Sequence, residues 1–160
     1  MRKYLKILTF VILATIIQSC GFKTLKLKNI NDISVNQLTT EGNRSINFKL
    51  SNYLKQTLSF EENRSTKINI HLKTEKIKKI KEKNNKNEIT KYGINLITSV
   101  QAEVINQDKE INFSINKQND FKVNDQHNIT IQNEKRVTNQ LTNSLSEEIF
   151  KTLLLKINDI

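Results

Sequence analysis

The chain has 160 residues, enough for one ordinary domain, with a formal charge of +10, a single cysteine, no proline and no tryptophan. One cysteine excludes an internal disulfide and any site built on paired thiols. The first nineteen residues hold Arg2, Lys3 and Lys6 and no acid. The rest of the chain keeps 23 basic against 16 acidic residues, a dispersed excess of +7 that favours anionic partners without choosing among them.

After the basic start, Ile7 to Ile17 is an almost unbroken apolar run. It has the length of a signal-peptide core and falls short of the roughly 20 residues that a membrane-spanning helix needs. Ile17-Gln18-Ser19-Cys20-Gly21 then looks like a bacterial lipobox, with an aliphatic residue at minus three, a small residue at minus one and the cysteine. The thiol receives a diacylglycerol, a peptidase cuts before it, and the new amino group is acylated; several chains hold a protein on a membrane where one holds it marginally. The expectation is a lipoprotein-type signal peptide over 1–19, lipidation at Cys20, a lipidated tether over 20–28 and a single α+β domain over 29–160. The competing reading is an uncleaved anchor or a buried thiol. Glycine rather than aspartate after the cysteine points to the outer membrane, with the domain facing the periplasm.

Phe22 to Lys28 reads as a tether, or as an edge strand, since Lys and Leu alternate there. Asn29 to Leu38 carries Ile30, Ile33, Val35 and Leu38 and predicts a strand. Thr39 to Asn43 predicts a turn that ends in helix-capping residues. Ile46, Leu50, Tyr53, Leu54, Thr57 and Leu58 recur at helical spacing and predict a helix over 43–58, with Phe48 off the stripe. Ile68, Ile70, Leu72 and Thr74 alternate with polar residues as in a half-buried strand. The parity slips at Ile77 and Ile80, which predicts a bulge there. Lys81 to Thr90 predicts a polar turn. Tyr92, Ile94, Leu96, Thr98, Val100, Ala102 and Val104 form the longest alternation. A tight turn over 106–109 leads to another strand with Ile111, Phe113, Ile115, Phe121 and Val123.

Asp125 to Asn133 is polar. A closing helix to about Asn158 carries Val137, Leu141, Leu145, Ile149, Leu153 and Ile157. A step of four drifts about 40° each time on a helix of 3.6 residues per turn, so the stripe winds and its end needs a second surface. The expected fold is α+β: a two-layer sandwich with two helices on one face of a mainly antiparallel four-stranded sheet.

His71 and His127 are isolated, and there is no GxSxG, P-loop or GxGxxG. Glu147 and Glu148 with Lys151 read as a surface pattern. The expectation is a protein without enzymatic chemistry, metal or cofactor beyond the covalent lipid on Cys20. Lys76, Lys78, Lys79, Lys81, Lys83 and Lys86 crowd one strand end and its hairpin. They form either a solvated, aggregation-resistant edge or a phosphate-binding patch. Export and the lack of an aromatic ladder argue against nucleic acid.

The order of elements carries a resemblance. Ser19-Cys20-Gly21-Phe22 leads to a strand, a helix with Leu50, Leu54 and Leu58, a meander containing Tyr92, and a closing helix with Leu141, Leu145, Ile149 and Leu153. This resembles the lipopolysaccharide-assembly lipoprotein LptE family across the mature chain. The resemblance implies an outer-membrane plug inside the LptD β-barrel that helps the barrel assemble and assists lipopolysaccharide delivery to the outer leaflet. The partners implied are an LptD-like barrel, lipopolysaccharide and the membrane holding the anchor. The alternative is a periplasm-facing lipoprotein that serves as an adaptor in another envelope complex.

Overall fold

The long apolar alternations become strands because successive side chains point to opposite faces, so one face of each can be buried whole. The computed structural model describes residues 33–58, 60, 66–105 and 107–158. In chain order it contains β1 (Ile33–Gly42), α1 (Arg44–Thr57), β2 (Thr66–Lys83), β3 (Ile89–Val104), β4 (Lys109–Lys122) and α2 (His127–Asn158). The strands lie side by side in sequence order. β1 and β2 are parallel; the other two pairs are antiparallel. Parallel neighbours need a crossover, and α1 supplies it. Cys20, the signal peptide, the tether, the strand reading before Ile33 and the break at 61–65 lie outside the described residues.

Both helices pack on one face of the sheet, as the two-layer expectation required. Ile68, Ile70 and Leu72 of β2, Ile94, Leu96, Val100, Ala102 and Val104 of β3, and Ile111 and Ile115 of β4 join one core with Ile46, Leu50 and Leu54 of α1 and the stripe of α2. Asn95, Ser99 and Gln101 fall on the opposite face. The winding stripe of α2 meets its second surface on α1, where the rings of Tyr53 and Phe150 touch edge-on at 6.4 Å between centroids.

Four details depart from the sequence expectation. β1 continues through Thr39–Gly42, because Thr39, Thr40, Glu41 and Gly42 pair with His71, Leu72, Lys73 and Thr74. Gly42 has φ +96°, and a Cβ there would stand 2.1 Å from the Thr74 carbonyl oxygen, so only glycine fits. Asn43 then donates its backbone N–H to the same carbonyl at 2.9 Å. Its side chain accepts from the Ile46 N–H at 3.2 Å, capping α1. The β2–β3 turn shrinks to 84–88, since the Asn84 side chain accepts from the backbone of Lys86 at 3.0 Å and of Glu88 at 2.9 Å. The irregularity in β2 is not at Ile77 but between Ile80 and Lys83. α2 begins at His127 rather than near Asn133, behind a polar lead-in where Thr130 and Asn124 bond each other twice, at 2.8 and 3.1 Å.

Candidate functional site

Past Thr74 the alternation of β2 holds its phase, so Lys76 and Lys78 continue the helix-facing side where apolar residues precede them. Charges there need partners. Glu134, from α2, provides one: its two carboxylate oxygens accept from Lys76 Nζ and Lys78 Nζ, each at 2.7 Å. Lys78 also lies 4.3 Å over the Tyr92 ring and 5.3 Å from that of Phe121. The two rings stack at 5.6 Å between centroids. Partial burial pushes the Glu134 carboxyl up, but the hydrogen bonds and charges of Lys76 and Lys78 outweigh it and leave its pKa below the ordinary value.

The other lysines of the expected patch lie elsewhere. Lys79 and Lys81 line a small groove on the opposite face with Asn95, Gln118 and Asp120, above Gly93. A Cβ on Gly93 would stand 2.5 Å from Lys81 Cε, so the missing side chain is what lets Lys81 lie across the sheet. Lys83 donates to Asn87 Oδ1 at 2.9 Å, and Lys86 sits exposed in the turn. Lys91 pairs with Glu82, which raises the Lys91 pKa. The cluster that looks continuous in sequence is therefore divided between two faces and a tip. The parity of Ile70, Leu72 and Thr74 already separates Lys76 and Lys78 from Lys79 and Lys81; the acid beneath them is 56 residues beyond Lys78.

The sheet face away from the helices is mostly polar, with Ile77 and Ile97 set among the polar side chains. One cross-strand row runs Asn112–Gln101–His71–Thr39 and the next Ser114–Ser99–Lys73–Glu41. Thr39 Oγ1 and His71 Nδ1 are 2.8 Å apart, so His71 is hydrogen-bonded in a surface row. Asn36 donates to Asn69 at 2.8 Å, and Asn69 donates to Glu103 at 3.0 Å. Lys73 donates to Glu41 at 2.8 Å and holds the exposed Glu41 carboxyl below its ordinary pKa. A groove of about 380 Å³ runs over Thr39, His71, Gln101, Asn69 and Glu103 and is lined also by Gln37, Asp108 and Glu110. On the edge strand β4, Lys117 faces the helix side and pairs with Glu148 of α2, on the surface where Glu147, Glu148 and Lys151 lie together. An inward charge on an edge discourages pairing with a further strand.

Among the described residues no three His, Cys, Asp or Glu side chains gather as metal ligands. No described helix is long and apolar enough to cross a membrane. The described residues offer a mostly polar face with a groove, a lysine-bearing hairpin and an ion-pair cluster.

This arrangement of elements has been seen in bacterial lipoproteins. The rare lipoprotein B structure from Shewanella oneidensis superposes with a TM-score of 0.62 at 8% identity, over 78% of this chain and 98% of that one. A lipoprotein from Caulobacter crescentus gives 0.54 at 10% identity, over 77% and 89% of the two chains. The minor lipoprotein of Acinetobacter baumannii gives 0.54 at 15% identity, over 76% and 92%. At these identities the likeness is one of fold. No protein-family model and no curated protein sequence matches the chain.

Proposed function

We propose that this protein is an outer-membrane lipoprotein, anchored through Cys20, that plugs an LptD-like β-barrel, helps it assemble and assists lipopolysaccharide delivery. The observation that carries this reading is the two-sidedness of the sheet. One face is sealed by both helices, while the other presents rows of Asn, Gln, Ser and Thr side chains that suit the polar wall of a barrel lumen. The lipobox and a fold shared with bacterial lipoproteins support it. Lys79, Lys81, Lys83 and Lys86, which Glu134 does not neutralise, supply exposed cations for glycolipid phosphates. Nothing in such a role requires catalysis.

The test is capture from detergent-solubilised membranes with photo-crosslinkers at Asn112 and Ser99 on the polar face and at Lys151 on the helix side. A β-barrel protein joined through Asn112 and Ser99 is the expected product. Copurification of an envelope complex without a barrel selects the adaptor role instead. Crosslinking through Lys151 alone refutes the polar face as the docking side.

A further inference from the structure

The N-terminal part of α2 is attached to the sheet without a hydrophobic core. From His127 to Arg136 no side chain is buried; Val137 is the first that is. What ties this stretch down is polar: the Glu134 carboxylate on Lys76 and Lys78, the Asn133 amide donating to the Lys122 carbonyl at 3.3 Å, and the Thr130–Asn124 pair. Beside Glu134 a groove of about 340 Å³ opens between the helices, lined by Asn43, Ser45, Lys76, Ile131 and Thr138.

We propose that Lys76 and Lys78 form an anion site that Glu134 closes from within, and that a phosphate group opens it by displacing the Glu134 carboxylate and lifting the first turns of α2. Two ammonium groups converge on the two oxygens of one carboxylate, each at 2.7 Å, which is the placement two phosphate oxygens would take. A phosphate monoester brings about −1.5 to −2 charges and three acceptor oxygens against one charge and two oxygens for Glu134. The Tyr92 and Phe121 rings hold Lys78 in position, so the site persists when the carboxylate leaves. Residues 127–136 carry no buried side chain of their own, so the opening step costs less than freeing the 137–157 stripe would. The proposal needs only a phosphate group and holds whichever protein the lipoprotein docks on.

The experiment is amide hydrogen exchange on the full chain in non-ionic detergent, with inorganic phosphate compared against chloride at equal ionic strength. Phosphate should speed exchange over 128–136 and leave 141–157 unchanged. Glu134→Gln should exchange fast over 128–136 without phosphate and bind phosphate roughly tenfold tighter, at the low end of usual coupling between competing groups. The double variant Lys76→Gln, Lys78→Gln should also exchange fast but show no response to phosphate, with circular dichroism confirming that both variants fold. Lipopolysaccharide and phosphatidic acid vesicles serve as further arms; a response to either supports the site and identifies the phosphate source. Exchange in wild type that ignores phosphate, or equal phosphate affinity in wild type and E134Q, overturns the proposal. Neither result bears on the barrel partner, which the capture experiment tests separately.

Discussion

Truncating Leu145 to alanine tests the packing of α2 more directly than any other change. Leu145 is 0% exposed and sits midway along the buried stripe between Leu141 and Ile149. The change removes three carbon atoms from full burial. At about 0.8 kcal/mol per buried methylene the transfer loss alone is about 2.4 kcal/mol. The unfilled space adds to it, because α1, the sheet and α2 enclose the position and collapse only partly, so the total is about 2–5 kcal/mol. For a domain of this size that lowers the melting temperature by roughly 5–20 °C. Phe48 is the internal control: a larger apolar side chain, but 66% exposed on α1, so Phe48→Ala should move stability by no more than about 0.5 kcal/mol. Urea unfolding of the chain from Gly21 onward, followed by circular dichroism, measures both. A loss under about 1 kcal/mol for Leu145→Ala, or equal losses for the two variants, would mean that α2 is rotated away from this placement.

Three other outcomes are expected. Metabolic labelling with palmitate should mark the wild type and vanish in Cys20→Ser; equal labelling of both removes the anchor. Acid unfolding should show the Glu134 contribution complete above its ordinary value of 4.5 and lost as pH falls through its lowered native value, because protonation breaks the bonds to Lys76 and Lys78. Glu134→Gln should therefore flatten the acid limb of the stability profile, and an unchanged limb would show that the pair contributes nothing. Replacing Lys79, Lys81, Lys83 and Lys86 together by Gln should weaken salt-sensitive binding to lipopolysaccharide while preserving the fold, since exposed charges act only within a screening length of about 8 Å at physiological salt. Binding at wild-type strength in low salt would reduce the hairpin to a solvated edge.

Much of this architecture follows from local pattern. A strand alternates with period two and a helix with period 3.6, so the burial of Ile94 to Val104 and of Val137 to Ile157 is written in the spacing of those residues. The same alternation marks Asn95, Ser99 and Gln101 for the open face, and the capping preference of Asn43 marks the start of α1. Boundaries set by pairing were not legible. Thr39 to Gly42 has turn-like composition and becomes strand because β2 offers it partners. His127 to Asn133 is too polar to announce a helix and becomes one at the start of α2.

The lysine cluster shows where sequence reading stops. Spacing along the chain displays the density of Lys76 to Lys86, and parity can sort those lysines between faces. Whether a charge is free depends on what stands opposite. Lys76 is joined to a carboxylate 58 residues away and Lys78 to the same one, while Lys79 turns to the other face beside Gly93 and Asp120. A Coulomb interaction depends on distance in space and on the dielectric around it, and neither exists until the sheet and α2 are packed together.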